Sequence, residues 1–273
     1  MTGSAGVKNE KNSLIIATYN WKEALALVLA TVRSQTTLPG EVVIADDGSR
    51  DDTREFLASE ATTFPVPLRH LWQEDRGFRK GRILNEAMAR AEGDYLIGID
   101  GDTLLHPGFV RSHMRFARPG WYLQGSRMML GESATARTFA AGRRAAGALS
   151  PNVRNRVNGI HAPLLSSFSR GERGPIHRTR GCNISYWRDD VVRVNGYNED
   201  MEGWGREDTE FVARLMNSGV RRRNLKFAAV SYHLHHRIRP RDADAANFEL
   251  VLKVVRDGVT RCEHGIDRHL SDA

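Results

Sequence analysis

The feature that most constrains this chain is an alternation in its first hundred residues. Short apolar runs, each able to form a buried strand, are separated by stretches with helical spacing. "SLIIATYN" is the first such run. "WKEALALVLATVRSQ" follows and puts Leu25, Val28, Leu29 and Val32 on one helical face. "EVVIAD" is the second run, and it leads into the helical "TREFLASEA", which Asp51 or Asp52 can cap. "VPLRHLWQ" is the third. "KGRILNEAMARAEG" turns Ile83, Leu84, Ala87 and Met88 inward, with Gly93 as its stop, and "DYLIGID" is the fourth run. The order βαβαβαβ predicts an α/β fold, with a parallel sheet covered by helices on both faces.

Ligands of such sheets bind beyond the carboxyl ends of the strands. Three of these strands end in polar groups: Thr18-Tyr19-Asn20, Asp46-Asp47 and Asp100-Gly101-Asp102. Two carboxylates this close repel unless something cancels their charge. A hard divalent cation does so with carboxylate ligands, and Gly101 lets the backbone bend beside it. A plain strand-ending turn is the other reading. Asp47 can accept hydrogen bonds from a base or ribose, or simply close an Asx turn. Arg76, Arg79, Lys80 and Arg82 precede or open a helix, where an anion such as a diphosphate is favoured, although no P-loop spacing is present.

The second half is less regular. "PGFVRSHMRFA" reads as a helix, "GWYLQGSRMML" as a strand, "REDTEFVARLMNSG" as a helix ending at Gly219, and "KFAAVSYHLHH" as a strand. "DADAANFELVLKVVRDG" reads as a last amphipathic helix. Residues 131–180 are rich in Arg, Gly, Ser and Pro and read as a long functional loop with some helix. In "GYNEDMEGWGREDTEF", Trp204 sits between two glycines just ahead of Glu207-Asp208 at a helix start. An aromatic face beside carboxylates suits a sugar, and Asp208 can take a proton from an acceptor hydroxyl. On a strand, His233 and His235 share a face and His236 takes the other, so a histidine can complete a coordination shell begun by Asp102.

Composition narrows the partners. The 273 residues carry a formal net charge of +7, which attracts phosphates of any kind. No stretch has the ~20 apolar residues of a membrane span. The N-terminus is polar, without a signal peptide's apolar core, and two distant cysteines make no disulfide framework. A cytoplasmic protein with free thiols is expected. A basic nucleic-acid-binding protein fits the charge, but no zinc finger, recognition helix or aromatic-basic strand motif is visible. A sugar nucleotidyltransferase also uses a parallel sheet and paired carboxylates, yet leaves "GWGREDTEF" without a role.

These residues resemble a known family. "SLIIATYNWKEALALVLATVRSQTTLPGEVVIADDGSRDDT" is similar to the opening of family 2 glycosyltransferases of the GT-A fold, and "IDGD" resembles their metal-binding D-x-D. "RGCNISYWRDDVVRVNGYNEDMEGWGREDTEF" resembles the galactosyltransferase-type segment of β-1,4-galactosyltransferases, polypeptide GalNAc transferases and bacterial chondroitin polymerase. The resemblance implies a GT-A domain over 13–237, with a nucleotide-sugar half (13–105) and an acceptor and catalytic half (106–237). A flexible tail (1–12) precedes it and a helical extension (238–273) follows.

It also implies roles. Thr18, Tyr19 and Asp47 line the uridine pocket, Arg79 and Arg82 meet the diphosphate, and Asp100 binds ribose or donor. Asp102 ligates Mn²⁺ or Mg²⁺ with His233, or His235 as second choice. Trp204 is the platform between donor and acceptor, Glu207 holds the acceptor sugar, and Asp208 is the base. Arg206 stands where the family commonly has glycine. The implied reaction is inverting transfer of a hexose or N-acetylhexosamine from a UDP-sugar to a glycan or glycolipid, in bacterial surface polysaccharide or lipopolysaccharide synthesis. The basic loops imply peripheral contact with the anionic inner membrane.

Overall fold

The structure, a computed structural model, describes residues 11–166, 174, 179–201, 203–237 and 243–270. The expected tail, up to residue 10, and residues 167–173 and 175–178 of the arginine-rich stretch lie outside them. The first half follows the alternation: β1 (Asn12–Thr18), α1 (Lys22–Arg33), β2 (Glu41–Asp46), α2 (Asp51–Ala61), β3 (Leu68–Trp72), α3 (Lys80–Arg90) and β4 (Tyr95–Asp100). Next come β5 (Thr103–Leu105), α4 (Phe109–Phe116), β6 (Trp121–Gln124), β7 (Arg127–Leu130) and α5 (Glu132–Ala140). Then follow β8 (Val153–Arg154), a 3-10 turn (Arg156–Gly159), α6 (Pro163–Ser166), β9 (Asn183–Trp187) and α7 (Arg188–Arg193). The chain continues through α8 (Glu207–Asn217), β10 (Arg221–Asn224), β11 (Ser231–His233), α9 (Asp244–Asp257) and α10 (Asp267–Leu270).

Seven strands form the main sheet in the order β10-β6-β9-β4-β1-β2-β3. Its pairs are parallel except where β9 runs antiparallel between β4 and β6. Strands from both expected halves therefore share one sheet. Alternation along the strands feeds two cores. Leu14, Ile16, Val42 and Ile44 face α1, α2 and α4, while Ile15, Ala17, Val43 and Ala45 face α3, α7 and α8. After β1 the chain moves outward through β2 and β3, then returns to the other flank of β1 as β4. A crevice opens at that reversal, beyond the carboxyl ends of β1 and β4.

A second, four-stranded sheet, β5-β11-β7-β8, caps this crevice. Its strands correct two expectations. "GWYLQGSRMML" is two strands in two sheets, broken at Gly125, where a Cβ would lie 1.9 Å from Asn183 Oδ1. "KFAAVSYHLHH" pairs only over Ser231–His233, because Phe227 and Ala229 adopt left-handed backbone ahead of it. Helix α3 ends at Arg90 with Ala91 already extended, so Gly93 is no helix stop. It is glycine because a Cβ there would lie 2.7 Å from the Ser13 nitrogen. Gly219, by contrast, ends α8 with φ +91°, as its sequence position predicts. Both cysteines are free and buried. Among the described residues, no helix is long and apolar enough to cross a membrane.

Candidate active site

The crevice is a cavity of about 770 Å³. Thr18, Tyr19, Asp47, Asp100, Asp102, Trp204 and His233, all expected site residues, lie on its wall, together with Phe78, Lys80, Arg127 and Arg154. The ends of β1, β2 and β4 supply the first four of these. The small sheet swings Arg127, Arg154 and His233 in from the other side.

At the β2 end, Asp47 is buried and fixed. Its amide donates to the Thr18 carbonyl at 3.0 Å, and its carboxylate accepts from Gln73 Nε2 at 2.5 Å and the Arg79 amide at 3.1 Å. Tyr19 donates its hydroxyl to Asp75 at 2.8 Å. The expected roles of the arginines shift here. The Arg79 guanidinium donates to the Glu74 carbonyl and Arg82 donates to Gln73, which itself holds Asp47. Neither arginine is on the cavity wall; Lys80, which starts α3, is.

Lys80 answers how the paired carboxylates are tolerated. Its ammonium donates to Asp100 at 2.7 Å. Burial opposes its charge, but Asp100, Asp208 and Glu207 outweigh burial and hold its pKa well above the usual lysine value. Lys80 thus pairs with the carboxylate at the end of β4, and the charges of the acidic pair at the start of α8 add to the negative field around it. Gly101 packs closely: a Cβ there would lie 3.0 Å from Thr18 Oγ1 and 3.1 Å from the Ala17 carbonyl oxygen, so a side chain would require its neighbours to give slightly.

Asp102 has its own partners. His233 Nε2 lies 3.4 Å from Asp102 Oδ1, and His236 Nε2 lies 3.2 Å from Asp102 Oδ2. Burial pushes the Asp102 carboxyl up, yet the His236 hydrogen bond and the charges of His233, His236 and Arg127 bring it below its ordinary value. The ligand atoms of Asp102, His233 and His236 lie within 4.8 Å of one another, the one such cluster among the described residues. Each ring's Nδ1 contacts a backbone carbonyl, Leu234 at 2.7 Å and Arg237 at 2.8 Å. With Nδ1 held by these carbonyls, Nε2 is the nitrogen of each ring that would ligate a cation, in place of the proton that His236 Nε2 donates to Asp102. This set fits a divalent cation.

The histidine pair differs from the expectation. His235 is exposed and outside the cluster, its amide donating to Thr135 Oγ1 at 2.8 Å, and His236 takes its place. The alternation that paired His233 with His235 requires a strand, and β11 stops at His233. Beyond it the chain turns, held by the Leu234 amide on the Asp102 carbonyl at 3.0 Å.

The acidic pair sits on a constrained loop. Gly203, Gly205 and Arg206 all have left-handed φ, at +78°, +119° and +73°. Arg206 thus holds a conformation that favours glycine. Its guanidinium makes two bonds to Asp244 of α9, at 2.9 and 3.1 Å, and lies over the Phe248 ring. Asn247 of the same helix donates to the Gly205 carbonyl at 2.9 Å. Glu207, only 8% exposed, accepts from the Gly205 amide. Burial first, and then the Asp208 charge, push its pKa up to about 7, against the pull of Lys80. Asp208 accepts from the Gly181 amide at 2.7 Å and from the Tyr197 hydroxyl at 3.2 Å, which leaves lone pairs for a substrate hydroxyl. Gly181 and Tyr197 carry no role in the motif reading. Arg127, which donates to Cys182 Sγ at 2.9 Å, is also absent from it. The signal for Gly181 was its place in "RGCNISYW"; nothing in the sequence marks Arg127.

A profile of glycosyl transferase family 2 matches residues 13–150. The chain belongs to this family. A second profile, described as the N-terminal domain of galactosyltransferase, matches residues 164–237. This glycosyltransferase is 23% identical over 244 residues to chondroitin synthase of Escherichia coli, an alignment covering 81% of the chain and 34% of that protein. The chain thus spans about a third of that relative's length. Its fold is that of GT-A glycosyltransferases. S. aureus TarS in complex with UDP-GlcNAc superposes with a TM-score of 0.62 at 17% identity, over 96% of this chain and 71% of that one. GalNAc-T7 with UDP, GalNAc and Mn²⁺ superposes with a TM-score of 0.64 at 13% identity, over 90% and 48%.

Proposed function

We propose that this glycosyltransferase is an inverting enzyme, dependent on a divalent cation, that moves a hexose or N-acetylhexosamine from a UDP-sugar to a glycan or glycolipid. Galactose or N-acetylgalactosamine is the favoured sugar, with glucose and N-acetylglucosamine open. The observation that carries this reading is the arrangement around Lys80. The Lys80 ammonium donates to Asp100 and feels the charges of Glu207 and Asp208, and Lys80 and Asp100 line a crevice with Asp102, His233 and His236. Family membership and the UDP-sugar in a structural neighbour support it.

In this reading Asp47, Thr18 and Tyr19 receive the uridine, and Asp100 orients the donor. Asp102, His233 and His236 would hold Mn²⁺, which supplies positive charge against the diphosphate leaving group. Mg²⁺ is the poorer match, because two of the three donors are imidazoles. Lys80 from α3 and Arg127 from the small sheet add fixed positive charge to the crevice. Trp204 gives the acceptor ring an apolar face, and Glu207 holds its hydroxyls. Asp208 takes the proton of the attacking hydroxyl. The oxygen bonds to the anomeric carbon as its bond to the diphosphate breaks, inverting that carbon. The biological setting we propose is surface polysaccharide or lipopolysaccharide synthesis at the cytoplasmic face of a bacterial inner membrane.

The test is Asp208→Asn, assayed by UDP release with a panel of UDP-sugars and acceptors. Transfer is expected to fall by about 10²–10⁴-fold while UDP affinity is kept. Near-normal turnover in the variant contradicts the base assignment.

A further inference from the structure

The arginine-rich stretch, which the reaction leaves unused, has a consistent surface chemistry. Residues 133–166 hold five arginines and no Asp or Glu. Five of the eight exposed large apolar side chains among the described residues lie between positions 149 and 165. Leu149 is 98% exposed and Leu164 72%. Globular surfaces scatter such residues singly; here they are gathered in one short segment.

The charges stand beside the apolar groups. Arg156 donates to the carbonyls of Ala148 and Ser150, both at 2.8 Å, and so folds its guanidinium across the turn that presents Leu149. Arg143 is exposed a few residues upstream. The stretch is also anchored to the crevice. β8 pairs with β7, Asn158 donates to the Arg127 carbonyl at 3.0 Å, and Arg154 of β8 lies on the cavity wall. The apolar, basic surface is therefore fixed at the rim of the active site.

We propose that residues 143–165 form a docking surface for an anionic phospholipid bilayer, which brings the crevice to the membrane plane where a lipid-linked acceptor presents its sugar. Exposed leucines beside arginines, with no carboxylate between, match a bilayer interface: apolar groups enter the acyl boundary and guanidinium groups meet lipid phosphates. A partner that offers only acidic groups would use the arginines and leave Leu149 and Leu164 in water. The link to a lipid-borne acceptor rests on the glycosyl-transfer reading; the bilayer contact does not.

The experiment is co-sedimentation of the full chain with vesicles of phosphatidylglycerol in phosphatidylcholine, and with phosphatidylcholine alone. The wild type is expected to bind the anionic vesicles, and added salt should weaken that binding. Leu149→Ser with Leu164→Ser should weaken partitioning at least about tenfold, and Arg143→Gln about fivefold. Both variants should keep wild-type UDP affinity and wild-type transfer to a soluble acceptor, which shows that they fold. Lack of vesicle binding by the wild type, or unchanged binding by the leucine variant, overturns the proposal. So does a wild-type dimer that the leucine variant converts to monomer, since the patch then meets a second copy. Vesicle binding by a chain that binds no nucleotide leaves the bilayer surface standing and overturns the transferase reading instead.

Discussion

Replacing Glu207 by Gln should change the pH dependence of stability in a direction that the site's electrostatics fixes. The carboxyl is buried beside Asp208, with Lys80 and Asp100 near, and titrates at about 7 rather than its ordinary 4.5. The folded state therefore binds its proton more tightly than the unfolded chain. Its contribution to stability is present in full below about pH 4.5 and is lost as pH rises through about 7. That interval, at ~1.36 kcal/mol for each pH unit, corresponds to about 3 kcal/mol. Gln keeps an oxygen to accept from the Gly205 amide but carries no charge. At pH 8 the variant should be more stable than wild type by about 2–3 kcal/mol, and at pH 4.5 nearly equal to it. With ~2.1 cal/mol/K of unfolding entropy per residue, this is a Tm gain of about 4–5 °C at the higher pH. Thermal unfolding of both proteins across that range is the assay. Parallel curves, or a gain that shrinks as pH rises, refute the account of a carboxylate ionising against its neighbours. If Glu207 holds the acceptor as proposed, transfer should fall in the same variant even as stability rises.

The frame of this site was legible in the sequence because it rests on periodicity. Alternation put the ends of β1, β2 and β4 together, and with them Thr18, Asp47 and Asp100. What was not legible depends on the second sheet, whose strands are two to four residues long and too short to show a period. That sheet decides which histidine faces Asp102, and it brings Arg127 and Arg154 to the cavity. β9 was hidden for another reason: "NISYW" is only five residues long and opens on polar Asn183, and its position between β4 and β6 makes it a strand. Nor could spacing rank the basic residues before α3. Lys80 faces the carboxylates, while its neighbour Arg79 bonds to the Glu74 carbonyl.

Other outcomes follow from single contacts. Gly181→Ala places a Cβ 2.2 Å from Asp208 Oδ1, so the carboxylate must move. Its kcat should fall at least about tenfold with UDP affinity unchanged, which steady-state kinetics and calorimetry together can read. Asp244→Ala removes the clamp on Arg206. Because that pair is about one-third exposed, stability should change by only about 1 kcal/mol or less, but the KM for acceptor should rise several-fold without a change in the donor constant. Arg206→Gly keeps the backbone conformation and loses the clamp, and it should reproduce the Asp244→Ala kinetics if the clamp positions the loop.

The most direct test of the central claim is calorimetric titration of UDP into wild type and Asp102→Ala, each with and without Mn²⁺. The account predicts that Mn²⁺ tightens UDP binding to wild type, and that Asp102→Ala loses at least about a hundredfold of that gain. UDP binding that ignores both the cation and the substitution would contradict a metal-diphosphate site at Asp102. Absence of UDP binding under every condition would contradict the donor assignment itself.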